Sequence, residues 1–302
     1  MTATTDVPVA ARAAGAGGQP GLGALVRMEL MKLRYRPMTW VVFGLITALL
    51  SGLMSLGYVI TRTMERPPGM SLDEDVKSFL FPGVFQEGFS IIGGVGFILL
   101  VVIAAAIIGS EYSWGTIRVL VGSGAPRSRL LGAKLVTVLI VTTALTLAGL
   151  VAFSLTSLGI AVVGGHPIDT SWLDGGAAVD LILMVGRTIF TLLVPALLAF
   201  TVAILSRSLA AGIAVGIGVT IFESIVVSLL NMIGGIGETI ADLLLTPNIQ
   251  AISELNGIGE RTWTTDGLPG PWRAAALLTI YMAAMVAACF VTFRRRDIAS
   301  GG

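Results

Sequence analysis

Charged residues, histidine and cysteine are all scarce in this chain of 302 residues. Only 12% of its residues are charged and 55% are hydrophobic, whereas a soluble globular protein carries about 25% charged residues. The single cysteine, Cys289, excludes an intrachain disulfide and a cysteine metal site. The single histidine, His166, lies in a predicted loop without the companion ligands that a metal site needs. This composition predicts a polytopic membrane protein.

The sequence motifs of common enzymes are missing as well. No G-x-x-x-x-G-K-[ST] sequence offers a loop for ATP phosphates, and no H-E-x-x-H sequence offers a zinc site. A Ser–His–Asp set cannot be assembled around one loop histidine, and a net charge of +1 does not indicate nucleic-acid binding. We therefore predict no catalytic, cofactor-binding or metal-binding residue in this chain, no nucleic-acid partner and no enzymatic activity.

Long apolar runs dominate the sequence instead. About 20 apolar residues cross the hydrocarbon core of a bilayer, and six stretches reach roughly that length. We predict an all-α polytopic membrane protein with a disordered tail over residues 1–20 and one transmembrane domain over residues 21–302. The six spans are expected at about residues 38–60, 90–109, 135–163, 187–206, 209–231 and 274–293. The fourth span could begin earlier, because residues 177–185 are also apolar.

The distribution of lysine and arginine predicts the orientation of the spans. Cations collect before the first span, between the second and third spans, at the turn after the fourth and after the sixth. Cytoplasmic loops carry the excess of Lys and Arg, so we expect that side and both termini to face the cytoplasm in a multi-pass protein of the cell membrane. The long outer connection at 232–273 is typical of one or two short helices at the outer interface.

Residues 21–36, GLGALVRMELMKLRYR, have the pattern of an amphipathic helix. One helical face is apolar and the other faces carry cations, the two sets being Leu22, Leu25, Val26, Leu30 and Leu33 against Arg27, Lys32, Arg34 and Arg36. We predict a surface helix on the cytoplasmic face of the membrane. A helix packed on protein is the alternative.

The connector between the second and third spans is unusually polar, SEYSWGTIRVLVGSGAPRSRLLGAK from Ser110 to Lys134. Topology explains its cations, but it does not explain Glu111, Tyr112 and Trp114. An aromatic pair beside an acid is typical of a docking surface for a soluble partner. Anchoring of Tyr and Trp at the membrane interface is the alternative.

Glu223 lies deep in the fifth span, where an acid must face protein or water. Gly212 and Gly216 share its helical face and Thr220 lies close to that face, so neighbouring helices could approach closely there. Arg187, near the outer end of the fourth span, is within reach of the Glu223 carboxylate. We predict that Glu223 pairs with Arg187 or lines a cavity between the spans.

The connector and the topology together resemble the permease subunits of type-2 ABC transporters. The motif resemblance consists of an acid, GT, Arg, Leu, a short break, R-x-R-L-L and A-K, at Glu111, Gly115, Thr116, Arg118, Leu120, Arg127, Arg129, Leu130, Leu131, Ala133 and Lys134. The layout is similar too, with a surface helix, six spans and short outer helices. The segment LLLTPNIQAISEL at 243–255 looks like the proline-containing outer segment of that family.

This resemblance implies an export permease that works with separate, soluble P-loop ATPase subunits, on which ATP would bind. The connector would form a coupling helix for them, and a second copy or a paralogue in the bilayer would complete the pathway. The implied ATPase-coupling residues are Glu111, Tyr112, Trp114, Gly115, Thr116 and Arg118, and the dimer seam and pathway residues are Gly212, Gly216, Thr220 and Glu223. We expect hydrophobic or amphipathic cargo, because the seam has few hydroxyls. The alternative function is an ion- or proton-coupled secondary transporter that uses Glu223.

Overall fold

The protein is described by a computed structural model that covers residues 20–63, 76–116, 126–173, 175–256 and 267–295. Within these ranges the regular structure is helical throughout. The predicted tail lies almost wholly outside the described residues, and so does the middle of the connector, residues 117–125. The helices are α1 (Leu22–Tyr35), α2 (Pro37–Thr63), α3 (Gly83–Ile91), a π-helical segment (Ile92–Gly96), α4 (Phe97–Ser113), α5 (Arg127–Gly164), α6 (Gly175–Ser206), α7 (Leu209–Ile233), α8 (Ile236–Ala241), α9 (Leu245–Ser253) and α10 (Pro271–Arg295).

In the described part of the chain, six helical stretches are long and apolar enough to cross a membrane, which confirms the predicted all-α fold with six spans. The second span is one continuous helix formed by α3, the π-helical segment and α4. The other five are α2, α5, α6, α7 and α10. The second, third and fourth of these begin well before the predicted starts, at Gly83, Arg127 and Gly175. The reason is physical. Hydropathy identifies the part of a helix that suits hydrocarbon, whereas backbone hydrogen bonds continue the helix into polar sequence on either side.

Small residues bring α4, α6 and α7 into close contact. A Cβ atom added to Gly109 of α4 would lie 2.7 Å from the Cα atom of Leu209, and one added to Gly216 of α7 would lie 2.8 Å from the Cβ atom of Ala199 in α6. Only glycine leaves room for backbones this close. The three helices therefore pack closely along these small residues, while most of the remaining surface of α7 is not buried.

Helix α1 packs on the bundle through one stripe of side chains. Leu25, Glu29 and Leu33 are buried and are spaced four residues apart, which places them on one face of the helix. Leu22 and Met31 remain exposed. The alternative prediction, a helix packed on protein, therefore describes this face of α1. The acid in the middle of the stripe requires a buried partner.

Candidate functional site

Four charged side chains from three helices meet at the end of the bundle where α1 lies. The Nζ atom of Lys134, in the second turn of α5, lies 3.1 Å from Glu29 Oε2 and 2.7 Å from Glu111 Oε1. The Nζ atom of Lys32 lies 2.9 Å from both Glu29 Oε1 and Glu111 Oε1. Each lysine thus bridges the same two carboxylates. We call Glu29, Lys32, Glu111 and Lys134 the ion cluster.

The ion cluster is buried and balanced in charge. Lys134 is 0% exposed, Glu111 2% and Glu29 3%. An ammonium group has three donors, and Lys134 directs them to Glu29, Glu111 and the backbone carbonyl of Ile107, which is 3.1 Å away. Removing one member of such a group is costly because the remaining charge stays buried without compensation. The cluster therefore fastens α1 to the last turn of α4 and to the beginning of α5.

Lys32 is the member nearest to solvent, with 29% of its side chain exposed. Burial by itself lowers the pKa of Lys32, but the carboxylates of Glu111 and Glu29 outweigh it, so the pKa lies above the ordinary lysine value. A raised lysine pKa contributes stability that is fully present below the unfolded pKa and is lost only as the pH rises through the folded pKa. The contribution of Lys32 is therefore fully present at physiological pH.

Arg36, the residue after α1, makes a second connection to the end of α4. Its Nη1 atom donates to Ser110 Oγ at 3.1 Å and to the carbonyl of Ala106 at 3.4 Å. Carbonyls in the last turns of a helix attract cations. The guanidinium carbon of Arg36 also lies 5.2 Å from the ring centroid of Trp114, within the range of a cation–π contact. Arg36 thereby holds an aromatic residue in place at the start of the connector.

The predicted coupling residues fall into two groups. Trp114 is 67% exposed, and Gly115 and Thr116 are exposed beside it. Gly115 has a φ of 68°, in the left-handed region that favours glycine, and it follows the end of α4. Glu111, by contrast, is turned inward by the two lysines, and Tyr112 packs partly buried against the core. Glu111 is therefore not exposed for direct contact with a soluble partner, and Arg118 lies outside the described residues.

Glu223 caps a short helix instead of pairing with Arg187. Its Oε1 atom accepts from the backbone N–H of Leu245 at 2.6 Å, and its Oε2 atom accepts from the N–H and the hydroxyl of Thr246 at 3.0 and 2.7 Å. The first N–H groups of a helix have no acceptor within it, and its dipole favours an anion there. Arg187 donates to the carbonyl of Leu255 at 2.6 Å. Each member of the predicted pair thus has a different partner.

Gly212 and Gly216 contact helices of their own chain. A Cβ atom added to Gly212 would lie 2.8 Å from the Cβ atom of Ala203 in α6, and Gly216 is equally close to Ala199 of the same helix. The G-x-x-x-G face of α7 is therefore used within the protomer. A seam between two copies would have to run over the outward face of α7 rather than through these two glycines.

A cavity of about 460 Å³ opens towards the other end of the bundle, within the usual size range of small-molecule sites. It lies between α3, the π-helical segment, α6, α7 and α9, and Thr220 and Thr246 are in its wall. Thr246 is also the residue that Glu223 holds. From Phe97 at the cavity to Glu111 in the ion cluster, α4 rises about 21 Å at 1.5 Å per residue. Hydroxyl and amide side chains line this cavity together with apolar ones such as Leu192 and Ile249.

Sequence reasoning missed two features of this site. Glu29 was not singled out, although its place between Leu25 and Leu33 on one helical face could have signalled a buried acid. The partners of Glu223 could not have been found, because backbone N–H groups carry no residue-specific signal.

Comparison with known proteins gives a family without an assigned activity. Residues 71–299 match a family described as "Protein of unknown function (DUF2705)". No curated protein matches the chain. The matched range is more than half of the chain and includes Glu111, Lys134 and the cavity, whereas Glu29 and Lys32 precede it.

Proposed function

The chain belongs to the DUF2705 family, and since that description assigns no activity, we propose from the structure that it is the permease subunit of an ATP-driven ABC export system. Two copies, or one copy and a paralogue, form the translocation pathway. Separate soluble ATPase subunits dock at the connector between α4 and α5. In this proposal the α1 end of the bundle faces the cytoplasm and the cavity lies towards the exterior.

The ion cluster is the observation that carries the proposal. An ATPase that pulls on the connector can drive transport only if that movement reaches the spans. Lys134 and Glu111 join the two helices on either side of the connector, and Glu29 adds α1 to the same buried contact. Force applied to the connector would therefore move α1, α4 and α5 together, and α4 extends directly to the cavity.

The exposed Trp114 supplies a contact for the partner. Truncation of tryptophan is among the most costly changes at protein interfaces, and the Arg36 guanidinium packs on the Trp114 ring. A side chain with such a contact loses less conformational entropy on binding than one without it. In this proposal Trp114 contacts the ATPase. Glu111 does not contact the ATPase and is a positioning residue, because it holds the end of α4 next to Trp114.

A secondary transporter that uses Glu223 is the competing function. Its carboxylate is engaged by three donors at the N-terminus of α9, an arrangement typical of a helix cap. The contacts of Glu223 therefore favour the ATP-driven proposal over a carrier in which this acid releases and binds ions.

The test is to purify the full-length chain from its native membrane together with any bound P-loop ATPase. We expect Trp114→Ala to weaken ATPase binding about fivefold or more, the loss typical of truncating an interface anchor. Trp40→Ala is the matched control, since Trp40 is exposed near the same end but lies on α2. Unchanged binding by the Trp114 variant, or cargo movement without any ATPase, would contradict the proposal.

A further inference from the structure

The end of α5 approaches α2 closely, at a glycine turn that leads into His166. Gly165 has a φ of 67°, in the left-handed region that favours glycine. The backbone N–H of His166 donates to the carbonyl of Ala161 at 2.9 Å, which is a common way to end a helix. A Cβ atom added to Gly164 would lie 2.5 Å from Tyr58 Oη of α2. The two helices are therefore about as close here as glycine allows.

His166 and Tyr58 share a hydrogen bond beside a cation. The Nε2 atom of His166 lies 2.9 Å from Tyr58 Oη, and the Nη1 atom of Arg62 donates to the same oxygen at 3.1 Å. The guanidinium carbon of Arg62 also lies 5.7 Å from the centroid of the Tyr58 ring, within the range of a cation–π contact. We call Arg62, Tyr58 and His166 the histidine link, because they join α2 to the end of α5.

The directions of the two hydrogen bonds determine the protonation state of His166. Arginine has only donors, so the Tyr58 oxygen accepts from Arg62. Among the described residues, His166 Nε2 is the one acceptor that the hydroxyl proton of Tyr58 reaches. That nitrogen then carries no proton, and the ring is neutral with its proton on Nδ1. The histidine link therefore selects one of the two neutral tautomers of His166.

Protonation of His166 would disrupt this arrangement. Both nitrogens of an imidazolium are donors, so Nε2 would no longer accept from Tyr58 and the hydroxyl proton would lose its acceptor. Protonation would also place a second cation across the Tyr58 oxygen from Arg62, and like charges this close repel each other. Both effects weaken the contact between α2 and α5.

The other charged groups near His166 lie in the wall of a second cavity of about 1280 Å³. Lys77, Glu87 and Asp169 line it together with His166. Hydrogen bonds from the Ser171 side chain and N–H hold the pKa of Asp169 below its ordinary value, so this acid stays ionised where histidine titrates. Histidine is the side chain whose ordinary pKa places its charge change between about pH 5 and 8, and the chain contains one.

We propose that the histidine link is a proton-controlled contact, in which neutral His166 joins α2 to α5 and protonated His166 releases them. Release would free the ends of two spanning helices beside the second cavity. Gln86 and Glu87 line both this cavity and the 460 Å³ cavity, so the link lies next to the space between the helices. The permease proposal places this end of the bundle outside the cell, but the hydrogen bonds do not depend on that proposal.

The first test determines the tautomer in the untagged, full-length chain, held in nanodiscs and labelled with ¹⁵N-histidine. Because the chain has one histidine, the ring ¹⁵N signals in an NMR spectrum report His166 alone. At about pH 8 we expect a protonated Nδ1 and an unprotonated Nε2, and at about pH 5 a proton on both. A neutral ring with its proton on Nε2 would overturn the proposal.

Hydrogen exchange measures the release itself. Between about pH 8 and pH 5 we expect protection of the last turns of α2 and α5 to fall about threefold or more, after correction for the intrinsic exchange rate. This is the size expected for loss of one hydrogen bond. The first turns of the same helices should not change. Equal protection of the last turns at the two pH values would contradict release.

Variants separate titration of His166 from simple loss of a contact. His166→Gln keeps an acceptor for Tyr58 but cannot be protonated, so protection should stay high at both pH values. Tyr58→Phe removes the donor and should give low protection at both. Tyr281→Phe is the matched control, since Tyr281 donates to the carbonyl of Leu243 at 2.7 Å, and it should keep the wild-type pH dependence. Wild-type pH dependence in either of the first two variants would refute the role of the link.

The outcome is separable from that of the permease proposal. Both sides of a nanodisc experience one pH, so these measurements need neither an ATPase nor a known orientation. A protein that shows the titration but acquires no ATPase partner would preserve the histidine link and reject ATP-driven export. An ATP-driven permease whose exchange does not depend on pH would preserve export and reject the histidine link.

Discussion

At the scale of single residues, Lys134 shows how one side chain joins three helices. It is fully buried, and each of its donors meets an acceptor on α1 or α4. The sequence places this lysine beside the third span, where positive-inside topology is sufficient to explain a cation. Its structural role depends on Glu29, which lies 105 residues away in sequence. A contact of that separation gives no signal in local patterns.

Replacement of Lys134 should therefore destabilise the protein strongly. We expect Lys134→Met to lower the free energy of unfolding by about 3–5 kcal/mol, since among the described residues Glu29 and Glu111 would keep only Lys32 as a cationic partner. Thermal unfolding in detergent, followed by fluorescence, measures the change. Lys77→Met is the control, because Lys77 is exposed. Equal unfolding temperatures for the two variants would show that the ion cluster does not fasten the helices.

The sequence predicted that another helix approaches Gly212 and Gly216 closely, but it did not predict which helix. The G-x-x-x-G pattern correctly indicated that Gly212 and Gly216 allow close contact with another helix. A small-residue pattern states how near a neighbour can come and not which neighbour it is. The structure supplies α6 and α4 of the same chain, where the resemblance to ABC permeases had implied a second copy.

At the scale of helices, α9 depends on an acid contributed by α7. Glu223 binds the N–H groups of Leu245 and Thr246 at the beginning of α9. A side chain that performs this function normally lies next to the helix that it caps. Here it comes from a spanning helix 22 residues earlier in the chain. The position of α9, and with it one wall of the cavity, therefore depends on α7.

Loss of this cap should loosen α9 selectively. We expect Glu223→Ala to speed amide hydrogen exchange in the first turn of α9, with a local cost of about 0.5–2 kcal/mol, the usual range for losing a cap. Hydrogen-exchange mass spectrometry resolves this segment from α6 and α4, whose rates should not change. Glu238→Ala is the matched control on α8. Uniformly faster exchange along the chain would indicate general destabilisation and contradict a capping role.

Spanning helices were predictable as elements, but their ends were not. The six apolar runs correspond to six helices of the described chain that are long enough to span a membrane. The additional turns at Gly83–Ile91 and from Arg127 onward are held by backbone hydrogen bonds and by contacts with other elements. Phe85 and Phe89 of α3 pack edge-on against Phe153 of α5. Hydropathy does not report such contacts.

At the scale of the whole molecule, the two ends of the bundle have different chemistry. One end carries the ion cluster and the exposed Trp114, and the other carries the acid-lined cavity. The sequence predicted a basic side and an acidic side from charge counts alone. The structure adds that the basic end contains the buried ion cluster and the acidic end contains the cavity.

Labelling with a membrane-impermeant maleimide tests the orientation. We expect Thr170→Cys to react in intact cells, and Tyr35→Cys to react only after the membrane is permeabilised. Both positions are exposed, and Cys289 is buried and should stay silent. The opposite pattern would place the connector outside the cell, where no ATPase could reach it, and would reject the proposed function.

Burial of the ion cluster also predicts that its members are replaced together in evolution. A lysine that cannot reach water tolerates the loss of an opposing acid poorly, so a relative that replaces Glu29 by an apolar residue should have replaced Lys134 as well. Such paired replacement would connect α1, which precedes the matched family range, to residues inside that range. Sequences in which these two positions vary together would therefore identify the chains whose α1 evolves together with the transmembrane helices.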